Sequence, residues 1–309
     1  MMLLFLLGIA VMILGLTLMR VSLSHVFCHR LQDRLATLTT SPYRGFLVGL
    51  VGAMLLQGST AVTLLSIALV SSRVLTFPHS IAILLGANVG TCSTVPLLLA
   101  MPTSTLSDFQ LYFCIPLALG LLIRRIRPLI GALGGLVLMV EGFSLLRTAS
   151  ASLVEVGDLL ALLQAPDSSS FIGIVVGIIL TFVLQSASSA TLLLTTLAEH
   201  QILSLHTICY IIYGNNIGSC LSSVLASIAA SHEARMTALA NLILNIGGVL
   251  LFLPLTTPFL AVTTAFADTT ADCLVILHTV FNAVSALLLL PFTGQYAAFI
   301  HRIYPFKCA

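Results

Sequence analysis

Two polar motifs each occur twice in the sequence, at a constant spacing of 128 residues. Gln57-Gly58-Ser59-Thr60 interrupts an apolar run and returns as Gln185-Ser186-Ala187-Ser188-Ser189. Gly86-Ala87-Asn88-Val89-Gly90 follows the first motif, and Gly214-Asn215-Asn216-Ile217-Gly218 follows the second. Aligned without gaps, residues 45–97 and 173–225 are identical at 16 of 53 positions. This pattern indicates an internal duplication and therefore a fold built from two similar halves.

The composition places both halves in a membrane. Of the 309 residues, 59% are hydrophobic and 7% are charged, whereas soluble domains carry roughly 25% charged residues. The net charge of +2 argues against a nucleic-acid partner. The seven cysteines form no C-x-x-C pair, so neither a disulfide framework nor a zinc site is indicated.

The distribution of apolar runs predicts the course of the chain through the bilayer. The runs that flank the two glutamines, 45–56 with 61–72 and 171–184 with 189–198, are too short to cross, which is typical of re-entrant hairpins. Segments 20–44 and 150–164 are predicted to be amphipathic connectors. Longer runs predict about seven crossing helices, at 2–20, 79–100, 110–124, 129–148, 206–230, 236–256 and 273–292.

The number of crossings sets the orientation of the halves. Three crossings and one hairpin precede residue 128, so the second half begins on the opposite side and the repeat is inverted. With the N-terminus outside and the C-terminus in the cytoplasm, eleven of the twelve Lys and Arg residues lie inside. We therefore predict an all-α protein of the bacterial inner membrane with inverted-topology repeats, two re-entrant hairpins and helices made discontinuous by the glycine motifs, in the first half together with Pro96. Its parts are 1–127, 128–256 and a C-terminal crossing with tail, 257–309.

Two opposed hairpin tips predict a binding site near the middle of the membrane. Helix N-terminal ends attract anions, and carbonyl and hydroxyl oxygens bind small cations. We call the interruptions of the apolar runs at Gln57 and Gln185 the breaks. No lysine or arginine lies near them, so cations carried with the anion would balance its charge. The predicted substrate-binding residues are Ser59, Thr60, Ser188, Ser189, Asn88 and Asn216. The predicted sodium-binding residues are Gln57, Gln185, Thr63, Thr91, Thr191 and Ser219.

At these motifs the sequence resembles the sodium/phosphate cotransporter family, whose hallmark is a duplicated Gln-Ser-Ser-Ser motif followed by Gly-Ala/Thr-Asn-Ile-Gly-Thr. Two further stretches look like the family, at 234–245 and at 278–282 before 290–292. The resemblance covers most of residues 1–292. It implies sodium-driven uptake of inorganic phosphate, with the hairpin tips binding the substrate. The chain departs from the motif at Gly58 and Ala187, where serines are usual.

Other functions stay open from the residues alone. A transporter of another oxyanion or small solute fits the same features, as does a membrane scaffold or regulator that does not transport. A serine hydrolase using Ser59 and His278 is disfavoured by the lack of Gly-x-Ser-x-Gly, and ATP-driven transport by the lack of a phosphate-binding loop. Glu141 within a predicted crossing is either functional or interfacial.

The partners expected are inorganic phosphate, sodium ions as the coupling ion and the lipid bilayer. No cofactor, no enzymatic activity and no nucleic acid are expected, and a homo-oligomer is left open.

Overall fold

The fold is helical throughout the part of the chain that the structure describes. This computed structural model describes residues 41–100, 126–150, 169–228 and 230–305, and residues 4, 6–11, 13–15, 17, 18, 21 and 22 before them. From residue 41 onwards these ranges contain twelve α-helices. They are α1 (Pro42–Leu56), α2 (Ser59–Ser71), α3 (Phe77–Thr91), α4 (Thr94–Leu99), α5 (Arg127–Ser150), α6 (Ser170–Leu184), α7 (Ala187–Glu199), α8 (Leu205–Ser227), α9 (His232–Phe252), α10 (Thr256–Ala265), α11 (Thr270–Leu289) and α12 (Thr293–Ile303).

Among the described residues, four helical stretches are long and apolar enough to cross a membrane. They are Phe77–Leu99, Leu205–Ser227, His232–Ala265 and Thr270–Ile303, which correspond to four of the seven predicted crossings. The predicted crossing at 129–148 is the 24-residue helix α5. The crossing at 110–124 lies outside the described residues, as do most of the two connectors, and that at 2–20 is described only in part.

The prediction of a discontinuous helix is confirmed in the first half, where it rested on the glycine motif together with Pro96, and it is wrong in the second half. Helix α8 runs unbroken through Gly214 and Gly218. In the first half, α3 continues past Gly90 to Thr91, and the interruption falls at Cys92 and Ser93. The physical cause there is Pro96, which has no N–H to donate to the carbonyl four residues earlier. Position 224, the equivalent in the second half, is valine, so the helical hydrogen bonds continue.

The glycines instead let helices pack at close range. A Cβ on Gly49 would collide with the carbonyl of Ile83, and one on Gly86 with the carbonyl of Phe46. The second half repeats both contacts, Gly177 with Ile211 and Gly214 with Ile174. Helix α1 therefore lies directly against α3, and α6 against α8, because small residues allow helix backbones to approach closely in membranes.

The two glutamines end helices in the same way. Gln57 follows α1 with φ 52° and ψ 42°, and Gln185 follows α6 with φ 52° and ψ 24°. Both residues therefore adopt the left-handed conformation that ends helices and is uncommon for residues other than glycine. The predicted breaks are confirmed as interruptions of helix. That these pairs re-enter the membrane from opposite sides stays a prediction, because helix length and composition do not set the side of entry.

Helices α9 and α11 share a second, shorter repeat with a spacing of 37 residues. Each carries an asparagine, Asn245 or Asn282, and each ends in a 3-10 turn that contains a proline, Leu253–Leu255 or Leu290–Phe292. A further helix, α10 or α12, follows each turn. The boundary predicted after residue 256 falls at the start of α10, directly after the first of these turns, and it stays a prediction.

Candidate functional site

The helices that follow the two breaks begin with the predicted hydroxyl residues. Ser59 is the first residue of α2, and Ser188 and Ser189 lie in the first turn of α7. All three are buried, and Thr60 is half-buried. The two starts differ in their capping. Ser186 Oγ accepts a hydrogen bond of 3.2 Å from the Ser189 N–H, whereas Gly58 leaves α2 with no side-chain cap. The N–H groups at the start of α2 therefore stay open to another acceptor.

Two predicted site residues keep buried hydroxyls that have no hydrogen-bond partner among the described residues. Thr63 and Ser188 are each 1% exposed, and neither Thr63 Oγ1 nor Ser188 Oγ is paired. A buried hydroxyl without a partner costs roughly 1–3 kcal/mol. The hydroxyls of other predicted site residues do form hydrogen bonds within their own helices. Thr91 donates to Ala87 O and Thr191 to Ala187 O, each at 2.9 Å, and Ser219 donates to Asn216 O at 2.8 Å.

The glutamine side chains hold the breaks in place. Gln57 Nε2 donates to Met54 O at 2.7 Å, and Gln185 Nε2 donates to Phe182 O in the same manner. Gln185 Oε1 also accepts a hydrogen bond of 2.6 Å from Ser222 Oγ on α8. Ser222 is a contact that the sequence reasoning missed, although the 128-residue spacing pairs it with Thr94. Thr94 Oγ1 is itself buried and unpaired.

The equivalent asparagines of the two halves have different partners. Asn88 Nδ2 donates to Asn241 Oδ1 of α9 at 3.3 Å, so it bridges two helices. Asn216 Nδ2 donates to Ile212 O of its own helix at 2.8 Å. The motif residues Asn88 and Asn216 are thus not interchangeable. Their predicted binding roles, and the single pocket predicted between the two tips, stay predictions.

The buried polar residues around the breaks carry no formal charge. Among the described residues, no Lys, Arg, Asp or Glu is buried, and the buried polar set consists of Ser, Thr and Asn with His278. No group of three or more His, Cys, Asp or Glu is placed to hold a metal ion in these ranges. An anion in this interior would thus meet neutral hydrogen-bond donors and helix ends, and its charge would need cations from solution.

Comparison with known proteins identifies the family. A sequence model of the Na+/Pi-cotransporter family matches the chain twice, over residues 11–149 and 138–271. This chain belongs to the Na+/Pi-cotransporter family. The resemblance seen in the duplicated motifs is therefore confirmed, and each half of the chain is matched in turn by the same family model. Members of this family are membrane transporters, in keeping with the four apolar crossing stretches.

Curated relatives of this chain include one protein described as uncharacterized and several whose name refers to phosphate export. "Uncharacterized protein YqeW" of Bacillus subtilis is 27% identical over 95% of this chain and 95% of its own. "Putative inorganic phosphate export protein YjbB" of Salmonella typhimurium is 26% identical over 96% of this chain, and the Escherichia coli protein of the same name matches equally. The chain corresponds to 54% of the YjbB length. No solved structure matches the chain significantly.

Proposed function

We propose that this protein is a sodium-coupled symporter of inorganic phosphate that works by alternating access. The observation that carries the proposal is the pair of buried hydroxyls beside the two breaks, those of Thr63 and Ser188, which have no partner in the described part of the chain. A folded protein leaves such groups unpaired mainly where a ligand, ion or water pairs with them. The family to which the chain belongs supplies the ligand class, since its name joins sodium and phosphate.

Phosphate would bind at the starts of α2 and α7. The uncapped N–H groups after Gly58 and the hydroxyls of Ser59, Ser188 and Ser189 all donate hydrogen bonds to an anion. The glutamine side chains, tied to the preceding carbonyls, would keep the two breaks in position. No Lys or Arg side chain is buried among the described residues. Sodium ions bound by nearby hydroxyl and carbonyl oxygens would therefore balance the charge of the anion.

The duplicated halves suggest how the site reaches both sides of the membrane. With the halves inverted, rocking or sliding of the helices that bear the breaks against α9 and α11 would open the site alternately. Sodium and phosphate would move in the same direction. An inward sodium gradient then drives uptake, and a sufficiently large outward phosphate gradient drives export, which is the activity in the name of the YjbB proteins.

Uptake of radiolabelled phosphate into proteoliposomes tests this proposal. The full chain is reconstituted, and gradients of sodium, potassium or protons are imposed separately, with sulfate and arsenate as competitors. Of the three gradients, we expect only that of sodium to stimulate phosphate uptake. We expect added sulfate to leave the rate of phosphate uptake nearly unchanged. Phosphate uptake that is driven by a proton gradient, or that is equally fast without any gradient, would contradict sodium coupling. Strong competition by sulfate would reassign the substrate to another oxyanion.

A further inference from the structure

An open cavity lies at the far end of α2 from its break, where the loop after α2 meets the starts of α3 and α9 and the last turn of α12. Its volume is about 600 Å³, measured as the space open to the centre of a water molecule, which is the size of a small-molecule site. Because α2 has 13 residues, the cavity lies roughly 18 Å from the break at the usual rise of a helix. It is therefore separate from the candidate site at the breaks.

Ionisable side chains from three separate parts of the chain line this cavity. Arg73 follows α2, His232 and Glu233 begin α9, and His301 lies in the last turn of α12. Three of these side chains can carry positive charge and one carries negative charge. Such a set suits an anion that also has a group able to donate a hydrogen bond to the carboxylate.

Aromatic rings hold both histidines of the cavity in place. The ring of His232 stacks on that of Tyr304, with centroids 4.8 Å apart, and the ring of His301 meets that of Phe77 edge-on at 5.3 Å. Rings packed in this way lose little further freedom when a ligand binds. The two histidines are thus positioned in advance at the wall of the cavity.

Two helix starts add to the positive character of the cavity. Thr76 and Ser231, the N-cap residues of α3 and α9, both line it. The hydroxyl of Thr76 is hydrogen-bonded to His79 Nδ1 at 3.0 Å and gives α3 no side-chain cap. The partial positive charge at the start of α3 therefore remains available to an anion in the cavity.

The second half of the chain contains an equivalent cavity that lacks these charges. Its volume is about 500 Å³. The 128-residue spacing relates four residues that line the first cavity to four that line the second: Val70 to Ala198, Arg73 to Gln201, Leu75 to Leu203 and Thr76 to Ser204. Among the described residues that line the second cavity, none is ionisable. The duplicated fold therefore forms such a cavity whether or not charged side chains line it.

Each of the four ionisable residues has an uncharged counterpart in the second half. Gln201 corresponds to Arg73, and the 37-residue repeat relates His232, Glu233 and His301 to Thr269, Thr270 and Thr264. The excess of Lys and Arg on the cytoplasmic side accounts for Arg73 alone, because that rule concerns neither histidine nor glutamate. Since the fold does not require the charges, their concentration in one cavity favours a ligand there.

We propose that this cavity binds a soluble phosphomonoester, with Arg73, His232 and His301 around the phosphate and Glu233 accepting a hydrogen bond from the organic part. A phosphomonoester carries close to two negative charges and three free oxygens at neutral pH, which suits three basic side chains and two helix starts. A lipid phosphodiester has one charge and two free oxygens and suits them less well. Inorganic phosphate alone would leave most of the volume empty and would not donate to Glu233 from a second position.

The bound ligand would also slow transport, and this consequence rests on the proposed function. The cavity lies between α2, which follows a break, and α9, against which the helices that bear the breaks would move. The Ser231 N–H already donates to Ser71 Oγ at 3.3 Å across this boundary. A ligand bound by Arg73 on one side and by His232 on the other adds contacts there, so it would oppose the motion.

Calorimetric titration of the purified full chain with AMP and with glycerol 3-phosphate tests the proposal. Arg73→Gln introduces the residue that stands at the equivalent position 201, where φ is positive as well, 54° against 60°, so the fold accepts it. We expect at least one probe to bind, and to bind roughly tenfold or more weakly in Arg73→Gln, because a charge-assisted hydrogen bond becomes a neutral one. Arg302→Gln is the matched control. It removes the same charge from an exposed residue of α12 outside the lining, and it should bind as the native chain does.

Three results would overturn the cavity site. They are the absence of binding for both probes, equal affinity in the native chain and Arg73→Gln, and loss of probe binding in Ser188→Ala, which would place the probe at the breaks. A phospholipid that native mass spectrometry finds on the native chain but not on Arg73→Gln, without binding of either probe, would overturn the soluble ligand in favour of a lipid headgroup.

The uptake assay separates this proposal from the proposed function. In proteoliposomes, AMP should slow sodium-driven phosphate uptake by the native chain and leave uptake by Arg73→Gln unchanged. If the probes bind and Arg73→Gln loses them, but the native chain shows no sodium-stimulated uptake, the cavity site stands and the symport proposal fails. If uptake is sodium-driven and neither probe binds, the symport proposal stands and the cavity site fails.

Discussion

At the scale of single residues, the breaks show how a polar side chain is used inside an apolar protein. Gln57 and Gln185 adopt a left-handed backbone and return their amide nitrogens to the helix that they end. Thr63 and Ser188 instead have hydroxyls without a partner in the ranges that the structure describes. The glutamine amides, which have hydrogen-bond partners, stabilise the ends of their helices. The two hydroxyls without such partners are the candidates for ligand contact.

Replacing Ser188 by alanine should weaken phosphate binding without harming the fold. The hydroxyl has no partner to lose within the described ranges, whereas a hydrogen bond to a charged ligand is worth about 1.5–3 kcal/mol. We expect phosphate affinity to fall roughly 10- to 100-fold, measured as the half-saturating concentration for uptake.

Thr195→Ala is the control, since Thr195 lies buried on the same helix and already donates to Leu192 O at 2.7 Å. It should leave phosphate affinity unchanged. Equal affinity in native protein and Ser188→Ala would remove this serine from the site.

At the scale of elements, the decisive contacts are those between a break-bearing helix and the helix of the glycine motif. Gly49 and Gly86 bring α1 onto α3, and Gly177 and Gly214 bring α6 onto α8. The same contact in two halves with few identical residues shows that the short interhelical distance is what the duplication preserves. The breaks are positioned by these helix pairs.

Gly49→Ala should destabilise the protein, and so should Gly177→Ala. In each variant the new Cβ meets a backbone carbonyl, of Ile83 or Ile211, which cannot rotate away. Overpacking of this kind costs about 1–3 kcal/mol or more, so we expect a lower thermal unfolding midpoint in detergent.

Gly52→Ala on the same helix α1 is the comparison, because its Cβ would meet Val62 Cγ2 at an ordinary 3.5 Å. It should melt close to the native chain. Equal melting of Gly49→Ala and Gly52→Ala would show that the close approach is not required.

At the scale of the whole molecule, the inverted arrangement predicts opposite exposure of equivalent positions. Arg73 follows α2 and Gln201 follows α7, both are exposed, and both have positive φ, 60° and 54°. In a parallel repeat they would face the same side of the membrane. In an inverted repeat Arg73 faces the cytoplasm and Gln201 the outside.

Cysteine labelling decides between these arrangements. Arg73→Cys and Gln201→Cys are made in a chain in which Cys28, Cys114 and Cys308 are replaced by serine, and intact cells are treated with a membrane-impermeant maleimide. Cys92, Cys209, Cys220 and Cys273 are buried and serve as silent background. We expect labelling of Gln201→Cys in intact cells and of Arg73→Cys only after lysis. Labelling of both in intact cells would refute the inverted topology.

The helical membrane fold, the duplication and the positions of both breaks were accessible from sequence, because apolar length and glutamine motifs in apolar runs are local signals. The continuity of α8 was not accessible from sequence. A glycine motif predicts an interrupted helix unless it is known that the glycines pack against a facing helix. The 37-residue spacing that relates Asn245 to Asn282 is visible in the sequence, but it is weak beside the 128-residue repeat.

The sequence by itself thus determined that this chain is an apolar, duplicated bundle with polar breaks at Gln57 and Gln185. Only the tertiary structure decided which polar groups stay unpaired. An asparagine or serine has the same chemistry wherever it occurs, and its availability to a ligand depends on partners that lie far away in the chain. Asn88 donates to Asn241 across 153 residues, whereas its counterpart Asn216 bonds within its own helix. That difference arises because α9 packs beside α3, a contact that no local pattern contains.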